Sequence, residues 1–160
     1  DAQVLPVIYE SGAPSLADGF HVHRKGEDIV LVATGYMLHT AFKAAERLAA
    51  RGIEVGIIDL FSLDAFNIAR FKAVLGAYSG IVTMEEGFRG RGGVDAMMFD
   101  FVNRNAVAAR VLNLGVEPGY RFELGTRTEL HELVGIGVEA VDKSVTAFAR
   151  ILSSTLVREQ

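Results

Sequence analysis

Apolar positions along the chain switch repeatedly between continuous runs and a three-to-four-residue period, and each switch marks an element. Asp28-Ile29-Val30-Leu31-Val32-Ala33 carries an unbroken apolar run, which a strand covered on both faces requires. After Thr34-Gly35, the positions Leu38, Ala41, Phe42, Ala45, Leu48 and Ala49 recur at helical spacing, and Gly52 stands where a helix C-terminal cap belongs. Val55 to Leu60 reads as the next buried strand, Ile68 to Tyr78 as the next helix, and Ile81 to Glu86 as a further strand. The glycine-rich turn Gly87 to Gly93 leads into a helix with Val94, Met97, Met98, Phe101 and Val102 on its apolar face, and Ala109 to Val116 reads as a strand. Thr126 with Glu129 forms a capping box that opens a short helix to Val134. Val141, Val145, Phe148 and Leu152 place a last helix against the domain.

Before these elements, Phe20 to Arg24 alternates as a short strand does, and Lys25-Gly26-Glu27 makes a turn. Residues 1–19 are punctuated by Pro6, Gly12, Pro14 and Gly19, leaving only Val7-Ile8-Tyr9 extended; they read as an arm from a preceding domain, with 20–160 as the domain itself. Alternating strands and helices predict an α/β fold, a mostly parallel sheet with helices on both faces and right-handed crossovers.

Composition narrows the function. Half of the 160 residues are hydrophobic and 22% are charged, so the chain has the apolar material for one ordered core. A net charge of -4, with basic and acidic residues mixed, supplies no stripe for nucleic acid or an anionic membrane. Zero cysteines exclude disulfides, thiolate catalysis and cysteine metal sites, and suit a cytoplasmic protein. No apolar run approaches the roughly 20 residues that span a bilayer. The start at Asp1, with apolar positions from Val4, reads as a piece of a longer polypeptide.

The ordered set of motifs resembles a known family. Asp28 to Gly35, the helix to Arg51-Gly52, Ile53-Glu54-Val55 and Ile58-Asp59-Leu60 resemble the C-terminal domain of transketolases. Val82-Thr83-Met84-Glu85-Glu86-Gly87 with Gly92-Gly93 is similar to that family's strand-to-glycine-turn signature, and Pro6-Val7-Ile8-Tyr9 to its approach from the preceding domain. Gly125 to Leu130, reaching Val134-Gly135, resembles its closing segment in split transketolases and 1-deoxyxylulose-5-phosphate synthases. Asp64-Ala65-Phe66-Asn67 departs from the family's usual proline and aspartate, which bears on that turn alone.

The resemblance implies three α/β/α layers around a five-stranded mixed sheet, with the first short strand antiparallel. It implies that thiamine diphosphate and Mg²⁺ belong to the complete enzyme and are held by two preceding domains, through a Gly-Asp-Gly motif, a downstream asparagine and an activating glutamate, so that none is bound by this domain.

Open parallel sheets place ligands beyond the carboxyl ends of their strands, which singles out Thr34, Gly35 and Asp59, with Glu85, Glu86, Gly87, Arg89, Gly90, Arg91, Gly92 and Gly93. The turn carries two guanidinium groups, backbone amides and a helix N-terminus, suited to an anion or carboxylate. It is neither G-x-G-x-x-G nor a P-loop, and an interface loop is the preferred reading. Glu85 and Glu86, adjacent on a strand end, point to opposite faces and cannot serve one substrate as paired acid and base; one of them caps or pairs locally. His21 and His23 share a strand face as half a metal site, but no third ligand has supporting spacing, so they read as exposed.

His39 reads as facing solvent rather than a substrate, and His131 has no nucleophile or carboxylate at catalytic spacing. No catalytic, cofactor-binding or metal-ligating residue is assigned. Met84, Met97, Met98, Phe99 and Phe101 cluster around the glycine turn; core packing is the commoner explanation, and an apolar patch exposed on a domain taken from a larger enzyme would favour self-association.

The expectation is thus the C-terminal section of a transketolase-type enzyme moving two-carbon ketol units between sugar phosphates. It would partner an N-terminal thiamine-binding section and a second copy of itself in a homodimer, without nucleic acid or membrane. Alternatives are the end of 1-deoxyxylulose-5-phosphate synthase, a 2-oxoacid dehydrogenase beta subunit, or a free-standing module that docks a partner or anion at Arg89 and Arg91.

Overall fold

The structure is a computed structural model that describes residues 5–9 and 14–156. Five strands form one sheet: β1 (Phe20–Arg24), β2 (Ile29–Ala33), β3 (Val55–Leu60), β4 (Gly80–Phe88) and β5 (Arg110–Val116). Their spatial order is β1-β3-β2-β4-β5, with β1 antiparallel to β3 and every other pairing parallel. The mixed sheet and its antiparallel edge are as expected from the resemblance.

Five helices cover the sheet: α1 (Met37–Ala49), α2 (Ile68–Leu75), α3 (Val94–Arg104), α4 (Arg127–Leu133) and α5 (Val138–Leu156). Strand side chains alternate between faces, so each strand feeds two cores. On one side Leu31, Ala33, Ile57, Val82 and Met84 pack with Leu38, Ala41 and Leu48 of α1 and with Val141, Val145 and Phe148 of α5. On the other, Val30, Val32, Ile58 and Ile81 pack with Phe71 and Leu75 of α2 and with Met98 and Phe101 of α3. The uninterrupted apolar runs of β2 and β3 are thereby explained, since every residue in both strands is buried.

Polar ties fix the helices in place. Asp142 of α5 is buried between Arg47 of α1 and Arg51 in the turn that follows it, with N–O distances of 3.4 and 3.0 Å. The Glu132 carboxylate accepts the Glu139 and Ala140 amides at the start of α5. Asn67 caps α2, accepting the Arg70 amide at 3.0 Å. That cap belongs to the segment departing from the family's usual turn, so Asp64-Ala65-Phe66-Asn67 still ends in a working helix start.

Two boundaries differ from the sequence reading by more than one residue. β4 runs on to Phe88 through Glu85-Glu86-Gly87, pairing Phe88 with Val116 past an irregularity, so the glycine turn begins only at Arg89. α2 stops at Leu75 instead of Tyr78, because Gly76 follows and Tyr78 turns into the core with its ring against Gly56.

Candidate functional site

The carboxyl ends of the parallel strands carry three clusters. The first surrounds Glu85, which is 6% exposed at the point where β4 passes over the start of α3. Its two carboxylate oxygens accept the Val94 and Asp95 amides, both at 3.1 Å. A carboxylate thus satisfies the first amide donors of α3 and meets the positive end of its dipole. Gly93 precedes the helix because a Cβ there would lie 2.2 Å from Glu85 Oε2. Asp95 in turn accepts the Gly90 amide, and Arg89 pairs with Glu117. The Gly90, Val94 and Asp95 amides and one of the two guanidinium groups that suggested an anion-binding turn are therefore engaged by the protein's own carboxylates. Gly90 and Gly92 take positive φ of 74° and 89°, as this tight return requires, and Arg91 is exposed.

The second cluster lies on the opposite face of β4, where exposed Glu86 accepts from His131 Nε2 at 2.9 Å and lies 3.4 Å from Arg127 Nε. Arg127 sits over the Tyr36 ring at 4.4 Å, and His131 meets the same ring edge-on at 5.2 Å. Thr34 and exposed Gly35 (φ 56°) form the turn that delivers Tyr36, and the Thr34 amide bonds Met84 O at 3.2 Å. His39 is half-buried between this cluster and Lys43, and burial first, then the nearby ammonium, lower its pKa. The adjoining cavity between α1 and α4, lined by Tyr36, His39, Thr40, Lys43, Thr128 and His131, measures about 30 Å³. Glu85 and Glu86 thus do point to opposite faces as read, and both are locally engaged. His131, which sequence spacing left without a carboxylate, has one in Glu86; forty-five residues separate the two, and only sheet topology joins them.

The third cluster corrects the reading of His21 and His23 as exposed. Both are half-buried on β1, and Tyr9 of the leading arm lies against them, with ring centroids 5.7 and 4.9 Å away. The Tyr9 hydroxyl donates to Asp59 Oδ2 at 2.6 Å, and His23 Nε2 lies 3.0 Å from that hydroxyl. With the phenol proton committed to Asp59, the phenol oxygen accepts, so His23 carries its proton on Nε2 in this arrangement. Asp59, 8% exposed, faces the arm. Burial, then Asp59's hydrogen bond and charge, raise the Tyr9 pKa well above its usual range. Burial and His21 lower that of His23, with Asp59 partly opposing. The only sequence signal for this cluster was a tyrosine in an otherwise punctuated arm and an aspartate ending an apolar strand.

The family described as transketolase, C-terminal domain, matches residues 19–141. The chain belongs to that family. It is 33% identical over 121 residues to 1-deoxy-D-xylulose-5-phosphate synthase from Aquifex aeolicus (strain VF5), covering 76% of this chain and 19% of that protein. The synthase of the same name from Vibrio campbellii (strain ATCC BAA-1116) is 30% identical over 125 residues, 78% of this chain and 19% of the relative. Among solved structures, a split-gene transketolase described as an inactive beta4 tetramer superposes with a TM-score of 0.78 at 24% identity, covering 89% of this chain and 46% of that one. The chain spans about a fifth of the length of these curated relatives.

Members of this family use thiamine diphosphate with Mg²⁺. Among the described residues no group of three His, Asp or Glu side chains could hold a metal ion. The cavity between α1 and α4 has room for about two water molecules, not a diphosphate. No described helix is long and apolar enough to cross a membrane.

Proposed function

We propose that this transketolase C-terminal domain is the supporting section of a thiamine-diphosphate-dependent, transketolase-type enzyme, and that it supplies domain and subunit contacts while other segments hold the cofactor and move two-carbon ketol units. One observation carries this reading: the polar groups at the carboxyl ends of the sheet are engaged with one another, and each cluster fastens one piece of backbone to the next. Glu85 holds α3, Glu86 holds α4, and Asp59 holds the leading arm. A site for chemistry would instead leave donors and acceptors converging on open space.

Residues 1–19 serve as the arm from a preceding domain, 20–160 form the domain, and the loop from Arg89 to Gly93 with Thr34, Gly35, Glu85 and Glu86 contacts a neighbouring section. The partners are an N-terminal thiamine-binding section and a second copy of the chain, and the setting is cytoplasmic. The name shared by the two curated relatives favours a second, narrower reading, in which the complete enzyme is a 1-deoxy-D-xylulose-5-phosphate synthase. Mixing the chain with a thiamine-binding section and assaying both ketol transfer and 1-deoxyxylulose-5-phosphate formation tests and separates the two. Turnover that needs both polypeptides supports the proposal, and turnover by the 160-residue chain alone overturns it.

A further inference from the structure

The small cavity between α1 and α4 differs from the clusters around it, because several of the donors that face it are unused. His39, Thr40 and Lys43 reach it from α1, Thr128 and His131 from α4, and Val138 from the start of the 19-residue α5. His39 and Lys43 lie one turn apart on α1, and Thr128 and His131 one turn apart on α4, so each pair shares a helix face. Thr40 is only 4% exposed, yet its hydroxyl makes no hydrogen bond among the described residues. A buried hydroxyl left in that state is costly unless something else fills the cavity and accepts from it. The Val138 amide is likewise without a partner among the described residues, while the Glu132 carboxylate takes the next two amides, of Glu139 and Ala140. It is the free donor at the positive end of α5.

The charge around the cavity has one sign. No carboxylate lines it. Lys43 makes no ion pair among the described residues, and its ammonium lies near enough to His39 to disfavour the imidazolium there. His131 Nε2 is committed at 2.9 Å to Glu86, whose carboxylate is not part of the lining. Donors from three helices thus converge on one space, with no anion of the chain's own among them. A volume of about 30 Å³ holds roughly two waters, which take up about 60 Å³ in the liquid. That is the room one phosphate group fills and a diphosphate exceeds.

We propose that this cavity binds a single phosphate group, carried by a phosphate monoester or present as free phosphate. Its oxygens accept from the Thr40 and Thr128 hydroxyls and from the Val138 amide, and Lys43 supplies the opposing charge. Lys43 and Thr128 are exposed, so the ester side of the ligand faces solvent. The lining offers donors but no carboxylate or thiol, so the group is held there and not converted. The inference goes beyond the supporting role, since it gives the domain a ligand of its own that ties α1, α4 and α5 together.

Calorimetric titration of the 160-residue chain at low ionic strength, where exposed charge contacts are least screened, tests the site. Inorganic phosphate is the probe in one arm and a pentose phosphate in the other. Saturable one-to-one binding is expected, and the tighter arm identifies the source of the phosphate group. Acetate over the same range should give heats of dilution only. Lys43→Gln, at an exposed position, should weaken the tighter ligand roughly tenfold. Thr40→Val, which keeps the shape and removes the hydroxyl, should weaken it several-fold. Lys72→Gln removes one exposed ammonium on α2 and should change nothing. In proton NMR the His39 ring titration should move to higher pH on saturation, because a bound anion favours the imidazolium. Circular dichroism establishes that each variant is folded.

No saturable binding in either arm, acetate binding as tightly as phosphate, or Lys72→Gln weakening the ligand as much as Lys43→Gln would overturn the site. The outcome is separable from the functional proposal. A chain that restores turnover to a thiamine-binding section without binding phosphate sinks this site alone, and a chain that binds phosphate but never restores turnover sinks the functional reading alone.

Discussion

At the residue scale the most informative group is Glu85. A buried carboxylate is costly unless hydrogen-bonded, and here it accepts two amides at the start of α3. Glu85→Ala should therefore lower unfolding free energy by about 2 kcal/mol, near the cost of a lost cap plus unsatisfied donors, measured by urea denaturation. Glu85→Gln, which keeps an acceptor but loses charge against the helix dipole, should cost less. Tyr9 makes a parallel test: Tyr9→Phe removes the donor to Asp59 and should cost about 1–2 kcal/mol. His23 adds a pH dependence. Its pKa in the folded chain lies below the unfolded value of about 6.5, so the folded state binds fewer protons. Its contribution is fully present above pH ~6.5 and is lost as pH falls through the folded pKa. The melting temperature should decline from pH 7 to pH 5, and His23→Gln, which can still donate to Tyr9, should flatten that decline. The remaining slope belongs in part to His39, whose pKa is lowered in the same direction.

At the element scale, local chemistry decided most boundaries. The Thr126–Glu129 capping box is formed in full, with the Thr126 hydroxyl accepting the Glu129 amide at 3.3 Å and Glu129 accepting the Thr126 amide at 2.9 Å. Because α4 is short, Thr126→Ala should cost about 1 kcal/mol and speed amide exchange selectively across Arg127–Leu133. The strands were legible because burial on both faces leaves an unbroken apolar run, as in β2 and β3. What was not legible lies where tertiary pairing overrides local signals. β4 continues through Gly87 because Phe88 finds Val116 as a neighbour across the sheet, and no feature of Glu86-Gly87-Phe88 itself announces that. His21 and His23 looked exposed for the same reason, since the arm that covers them joins them only in three dimensions.

At the scale of the whole molecule, the layers and the mixed sheet followed from alternation of period and from family resemblance, and the matched region confirms the family. The candidate site was only half legible. Thr34, Gly35, Glu85 and Glu86 do gather at the carboxyl ends of the strands, yet sequence could not show that carboxylates already occupy the amides there. Nor could it show that Asp59 faces inward to a tyrosine fifty residues away. These closed clusters are why the account assigns support to this domain and carbanion chemistry to other segments. Calorimetric titration of thiamine diphosphate with Mg²⁺ into the 160-residue chain on its own tests that assignment most directly. The account predicts heats of dilution only, whereas saturable one-to-one binding would contradict it.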